Sequence, residues 1–91
     1  MQVSNPYPNP VGVGGMVKFD LLSSCPTSVN WSVLTSAFRM IYGETVAVNG
    51  SKTVAWNLKD QKGVAVGIGL YYVKVQAPTG DAVILKVQVG N

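Results

Sequence analysis

The stretch GLYYVKVQAPTGDAVILKVQV, residues 69–89, contains two runs in which apolar and polar side chains alternate. In the second run, Leu85 and Val87 fall on one side of an extended chain and Lys86 falls on the other, which is the pattern of a half-buried strand. The segment PTGD at residues 78–81 separates the runs and has the composition of a tight turn. The stretch therefore predicts two neighbouring antiparallel strands.

The same alternation recurs in three earlier parts of the chain, at residues 17–21, 29–33 and 54–58. No stretch has the periodicity of a helix. The pair Asn49-Gly50 predicts a two-residue hairpin turn, because both central residues of such a turn need positive φ. With a short strand near the N-terminal prolines, the count reaches about seven antiparallel strands. The pattern predicts an all-β fold, namely an immunoglobulin-like β-sandwich.

A single domain over residues 1–91 is expected, because a chain of 91 residues has room for one hydrophobic core. Residues 1–11 are rich in proline and are predicted to form a lead-in segment or an edge strand, since proline cannot donate to a central ladder. The inward positions of the strands predict the core residues, which are Phe19, Trp31, Val33, Val54, Trp56, Val73, Leu85 and Val87.

The composition argues against most enzyme chemistry. The chain has no histidine and one cysteine, Cys25, so the usual zinc ligands and an intrachain disulfide are both excluded. No histidine is present to activate the thiol as a nucleophile, and we interpret Cys25 as incidental. We expect no catalytic residue, no metal site and no cofactor.

The charge pattern also limits the partners. Charged residues make up 12% of the chain and the net charge is +3, with the seven basic residues scattered singly. A nucleic-acid surface would cluster its positive charge. No apolar run reaches the ~18 residues of a membrane span, and the opening MQVSNPYPNP lacks the plan of a signal peptide. We expect neither nucleic-acid binding nor a membrane span.

Three more specific functions are less well supported by the sequence than a non-enzymatic role. The glycine-rich runs GIGLYY and VGVGG are not followed by a helix, which a phosphate loop requires. The four acidic residues fall on four separate elements, which disfavours a glycosidase pair. An internal Lys–Asn cross-link would need a buried lysine, whereas Lys18 and Lys86 take polar positions of their strands.

The segment TVAWNLKDQKGVAVGIGLYYVKV, residues 53–75, contains the most specific motif of the chain. A tryptophan ends one strand, an Asp-x-x-Gly loop follows, and Gly-hydrophobic-Tyr opens the next strand. The motif residues are Trp56, Asn57, Asp60, Gly63, Gly69, Leu70 and Tyr71. Together with NPYPNP, VKFDL and SVNWSVL before it, this order resembles the immunoglobulin-like domain of flagellar hook-capping (FlgD-type) proteins over nearly the whole chain.

Two positions depart from the pattern of that family. Leu58 stands where a glycine usually follows the pair of tryptophan and Asp/Asn. The segment TSAFR, residues 35–39, stands in place of the usual Asp-x-x-Gly-Arg.

The motif residues are also expected to have structural roles. The Asp60 side chain is predicted to accept backbone N–H groups of its loop, and Gly63 to take the left-handed conformation. Gly67 and Gly69 are typical of a bulge or a close backbone approach at the start of a strand. Tyr71 is predicted as a tyrosine corner, with its ring in the core and its hydroxyl bonded to the backbone. We expect these residues to determine the fold rather than to bind a ligand.

Large apolar side chains also occupy outward positions of the predicted strands. Leu22, Leu34, Tyr72 and Ile84 fall on faces that their strands leave outward, and few charges accompany them. This predicts a candidate interaction face that is covered by protein, either a neighbouring domain of the parent chain or a second copy.

The sequence thus favours a non-catalytic structural or interaction module. The resemblance implies a bacterial secreted, cell-surface or flagellar-assembly protein, and therefore an extracellular or cell-surface location. An alternative is a C-terminal sorting domain of type IX secretion, because YPNP, GLYYVKV and the last strand are also similar to such domains. A third role, docking an enzyme to carbohydrate, would need an exposed tryptophan, whereas Trp31 and Trp56 both have inward positions.

Overall fold

A computed structural model describes residues 2–90 of the chain. Within that range it contains five strands and no helix, and every pair of strands is antiparallel. The strands are β1 (Gln2–Val3), β2 (Val17–Thr35), β3 (Met40–Trp56), β4 (Gly69–Gln76) and β5 (Ala82–Val89). The all-β class expected from the alternating sequence is confirmed.

The long strands β2 and β3 form a hairpin whose register changes midway. Residues 17–23 of β2 pair with residues 50–56 of β3, and residues 27–34 pair with residues 40–48. Between these stretches, three residues of β2 lie opposite one residue of β3. Such a bulge bends a strand and increases its twist, so it allows the hairpin to change direction.

The hairpin folds back on itself at the bulge. Phe19 and Trp31 lie on the same strand, yet their ring centroids are 5.8 Å apart, whereas twelve residues of straight strand would span about 40 Å. The sheet therefore curls into two halves that enclose the core. The three-stranded half contains β1, residues 17–23 and residues 50–56, and the four-stranded half contains residues 40–48, residues 27–35, β4 and β5.

The prediction of about seven separate strands is not confirmed, because the described residues form five. The expected hairpin at Asn49-Gly50 is also wrong, since both residues lie within β3. Gly50 does have a positive φ of 83°. The residues on its two sides pair with β2 and not with each other. The glycine therefore lies where a continuous strand bends back, and not in a hairpin turn.

The core lies between the two halves of the sheet. All eight residues expected there from the sequence are buried, and Trp31 and Trp56 are each only 1% exposed. The Trp56 indole N–H donates to the Lys59 carbonyl oxygen at 2.9 Å. The Trp31 indole N–H, by contrast, meets no acceptor within residues 2–90. Neither tryptophan offers a surface to a ligand.

Residues 2–11, called the N-terminal strap below, connect both halves of the sheet. On the three-stranded half, the backbone groups of Tyr7 and Lys18 exchange two hydrogen bonds of 2.8 Å. The Tyr7 hydroxyl also donates to the Asp20 carboxylate at 3.0 and 3.1 Å. At its other end, Val11 is 2% exposed and pairs in parallel with Val89 of β5.

Two side-chain amides cover part of the open edges of the four-stranded half. On β5, the Asn9 amide donates to the Lys86 carbonyl oxygen and accepts from the Gln88 N–H, both at 2.9 Å. On β3, the Gln61 side-chain oxygen accepts from the Gly43 N–H at 3.0 Å. A carboxamide carries a donor and an acceptor, as a peptide group does, so it can occupy the place of a neighbouring strand.

The edge of β3 has a second form of protection. Glu44 pairs with Trp31 and Lys52 pairs with Leu21, and both of these partners are buried. Paired residues share a side of the sheet, so the two charged side chains lie on the core-facing side of β3, although both are exposed at the edge. Charges in that position oppose the addition of a further strand.

Candidate interaction surface

The Asp-x-x-Gly loop is organised by its own aspartate. The Asp60 carboxylate accepts the backbone N–H groups of Lys62 and Val64 at 2.9 and 3.0 Å. The Gly63 N–H donates to the Asp60 carbonyl oxygen at 3.0 Å, and Gly63 has a φ of 85°. This conformation is open to glycine at little cost and is strained for other residues. The loop is thus held by internal bonds.

The remaining motif residues connect this loop to the core. The Tyr71 hydroxyl donates to the Gly67 carbonyl oxygen at 2.8 Å, and its ring meets Trp56 edge-on at 5.7 Å between centroids. This is the arrangement of a tyrosine corner. Gly69 opens β4 with a φ of 156°, and Asn57 is exposed. The contacts that the motif makes in the structure are therefore contacts within the fold.

The four residues expected to share an interaction face do not lie on one surface. Leu34 and Tyr72 are directly paired, and Ile84 lies one strand further on, so these three are on the outer face of the four-stranded half. Leu22 pairs with Ser51 and lies on the outer face of the other half. The expectation of a single face is wrong for Leu22, because β2 crosses from one half to the other at its bulge.

Two strongly exposed apolar residues of the four-stranded half lie where the β2–β3 hairpin turns. Met40 pairs with Leu34 and is 61% exposed, and Phe38, in the turn itself, is 63% exposed. The Phe38 ring stacks on Tyr72 with centroids 5.0 Å apart and planes 7° from parallel. These four residues, Leu34, Phe38, Met40 and Tyr72, are called the tip patch below.

The backbone holds Phe38 in an unusual conformation. Its φ of 62° lies in the left-handed region, which few residues other than glycine adopt. The Phe38 N–H donates to the Thr35 carbonyl oxygen at 2.8 Å, and the Thr35 N–H donates to the Arg39 carbonyl oxygen at 2.9 Å. This turn was not predicted from the sequence, since no Gly, Pro or Asn occurs in it. Its one signal was that Phe38 stands at the glycine of the family pattern.

Cationic side chains surround the tip patch. Arg39 follows Phe38 in the turn, Lys86 pairs with Tyr72, and Lys74 pairs with Ile84. None of the chain's four acidic residues occupies an outward position of this face. Their carboxylates instead accept hydrogen bonds from neutral groups on other surfaces, as in the bonds of Asp20 to Tyr7 and Thr53. The face is therefore apolar and positively charged.

Two tyrosines away from the patch have perturbed ionisation. The hydrogen bond to Asp20 raises the pKa of Tyr7 above its ordinary value. Burial, with a smaller effect of Glu44, raises the pKa of Tyr42. Both shifts keep the phenol neutral and are explained by contacts within the fold.

No group of three His, Cys, Asp or Glu residues that could hold a metal ion occurs within residues 2–90. The same residues contain no helix long and apolar enough to cross a bilayer. Cys25 is exposed and lies within the bulge of β2.

Sequence comparisons do not place the chain in a family. No family model matches it, and no curated protein matches it. Its fold, however, is found in solved structures of bacterial proteins.

Three of these structures represent the likeness. PorU from Porphyromonas gingivalis, solved as a latent dimer, matches with a TM-score of 0.78 and 19% identity, over 97% of this chain and 9% of PorU. PorZ, a surface component of the type IX secretion system of that organism, matches with a TM-score of 0.68 and 21% identity, over 99% and 11%. FlgD of Xanthomonas campestris, which caps the flagellar hook, matches with a TM-score of 0.69 and 16% identity, over 92% and 64%. The chain thus spans about a tenth of PorU and PorZ, and at these identities the likeness shows the fold alone.

Proposed function

We propose that this chain is a non-catalytic, immunoglobulin-like module that binds another protein surface through the tip patch. If the two paired stretches of β2 and of β3 are counted separately, β1, β4, β5 and these stretches make seven segments in two facing layers. That arrangement supports the sandwich interpretation.

The observation that carries the proposal is the position of Phe38. A bulky residue with a φ of 62° costs about 1–2 kcal/mol of backbone energy. Its side chain is nevertheless 63% exposed, so burial within the domain offsets little of that cost. Strain that the fold does not require is typical of sites whose function depends on it. A partner that covers Phe38 would supply the missing burial.

We also propose the kind of parent protein that contains this module and where it works. The likeness to PorU, PorZ and FlgD supports a parent protein that is secreted, displayed on the bacterial surface or part of flagellar assembly. The module would then work outside the cytoplasm, joined to other domains of its parent. Its partners would be proteins, with no cofactor involved.

Hydrogen exchange tests the binding surface directly. We would compare the isolated chain with the same chain inside its parent protein, following the amides of residues 34–40 and 70–74. The proposal expects slower exchange at these amides in the parent, with residues 51–55 as an internal control on the other half of the sheet. Equal exchange in both samples, together with a strictly monomeric isolated chain in sedimentation, would contradict the proposal.

The alternative role is a sorting domain for type IX secretion. It is favoured by the likeness to PorU and PorZ, although that likeness shows only the fold. A reporter protein carrying this chain at its C-terminus, expressed in a bacterium with that system, would be exported and cleaved if the alternative holds. Retention of the reporter, with export of a matched reporter carrying a known sorting domain, would remove it.

A further inference from the structure

The N-terminal strap and the last strand are joined in a way that the binding role does not require. Val11 pairs with Val89 in parallel, whereas every pair of named strands is antiparallel. Four hydrogen bonds, each 2.9 Å long, connect the strap to β5 and to Gly90 directly after it: Asn9 amide to Lys86 oxygen, Gln88 N–H to Asn9 amide oxygen, Val11 N–H to Gln88 oxygen, and Gly90 N–H to Val11 oxygen.

The two ends of the described chain lie at opposite ends of the molecule. Gln2 pairs with Leu22, close to the bulge where β2 folds back. Val89 pairs with Gly69, which lies two residues before Tyr71. Tyr71 pairs with Thr35, at the opposite end of the β2–β3 hairpin, where the chain turns. The longest dimension of the molecule is 37 Å. A pull on the two ends therefore drives the strap and β5 in opposite directions along their own axes.

Under such a pull, the four bonds between the strap and β5 carry the force together. A force across the strands would instead break them one after another. The strap is also anchored to the three-stranded half by the paired backbone groups of Tyr7 and Lys18, and by the Ser4 N–H, which donates to the Asp20 carbonyl oxygen at 2.9 Å. The strap thus cannot slide along one half without breaking its bonds to the other.

We infer that the strap and β5 form a mechanical clamp, so that the domain transmits tension between its two ends without unfolding. The clamp is independent of the tip patch and of any partner bound there. Resistance to force is a property of the unfolding barrier, so it is measured as a rate or a rupture force under load.

Force spectroscopy with two pulling geometries tests the clamp in a single folded protein. One geometry attaches handles to the two chain ends. The other attaches them to the N-terminal end and to the side chain of a T79C variant, in a C25S background that removes the exposed thiol. Thr79 lies in the β4–β5 turn, which shares a surface groove with Ser23, Pro26 and Thr27, close to where the strap begins. We expect an unfolding force at least about twofold higher between the chain ends, because the bonds there are sheared together. Equal forces in the two geometries would overturn the clamp.

A matched pair of variants assigns the resistance to the strap. Asn9→Ala removes two of the four bonds and is expected to speed unfolding about 30-fold at constant force between the chain ends, the effect of two ordinary hydrogen bonds on a barrier. Asn5→Ala is the control, because Asn5 is also followed by proline and none of the bonds to β5 within residues 2–90 involves its side chain. Equal unfolding rates for the two variants under load would show that the strap does not carry the force.

Discussion

Two turns of this molecule place a large apolar residue in the left-handed region, and they use it differently. Leu58 has a φ of 61° and is 3% exposed, whereas Phe38 has a φ of 62° and is 63% exposed. Leu58 joins the core cluster, so the burial of its side chain stabilises the turn that holds it. Phe38 has one stacked ring, Tyr72, as its neighbour on an open face. The same backbone conformation thus serves the core at one turn and the surface at the other.

The largest effect is expected at the buried turn. Leu58→Gly relieves the backbone strain but removes a side chain from the core, and burial is the larger of the two effects. We expect a loss of about 2–3 kcal/mol in the free energy of unfolding, measured in denaturant. A stability equal to that of the original chain would mean that Leu58 contributes no more burial than Phe38, and the contrast between the turns would fail.

A second variant tests whether the loop after Leu58 depends on its backbone conformation. Gly63→Ala forces a side chain onto a φ of 85°, although an added Cβ meets nothing within 4 Å. The expected loss is therefore roughly 1–2 kcal/mol of backbone strain alone. Gly67→Ala is the control, since its Cβ also meets open space and its φ is not in the left-handed region. Equal melting temperatures for the two variants would contradict the assigned strain.

The contact that holds the exposed turn can be isolated by a double-mutant cycle. We expect Phe38→Ala and Tyr72→Ala to be non-additive by about 0.5–1 kcal/mol, the usual range for a pair of stacked aromatic rings. The matched pair Met40→Ala and Tyr72→Ala should be additive within about 0.5 kcal/mol, because Met40 pairs with Leu34 rather than with Tyr72. Additivity in the first cycle would leave Phe38 without any contact that orders it.

The smallest change in stability is expected at the exposed turn. Phe38→Gly relieves about 1–2 kcal/mol of backbone strain and loses about 0.5–1 kcal/mol of stacking with Tyr72, so we expect the free energy of unfolding to change by less than about 1 kcal/mol. In the parent protein, the same variant should lose the slow hydrogen exchange of the tip patch. A loss of stability as large as that of Leu58→Gly would show that Phe38 is a core residue of the turn and would remove the motive for a binding role.

Local patterns predicted the interior of this fold better than its connections. Phe19 and Trp56 could be placed in the core from the sequence because a strand has a fixed period of two, whatever its neighbours are. The pair Asn49-Gly50 could not be assigned correctly. Its positive φ is a local preference, but whether the flanking segments pair with each other or with β2 depends on contacts far along the chain. Leu22 was placed on the wrong face for the same reason.

The candidate site depends even more on distant contacts. Tyr72 was recognised as outward from its strand. The one turn signal at Phe38 was its place at the glycine of the family pattern, and its stacking on Tyr72 joins residues 34 positions apart. The role of Asn9 was likewise hidden, since its amide finds the backbone of β5 at the other end of the sequence. Local sequence patterns therefore identify the core of this chain, but not the contacts between distant residues that form its surface patch.

The charges on the edge of β3 have a consequence for behaviour at high concentration. A chain with only 12% charged residues has little electrostatic repulsion to keep copies apart, and open strand edges are the usual route to fibrils. Glu44 and Lys52 stand on that edge on the core-facing side, where an incoming strand would have to bury them. Replacing both by threonine would leave the fold intact but remove this barrier, and the protein would then be expected to aggregate from its native state rather than from its unfolded one.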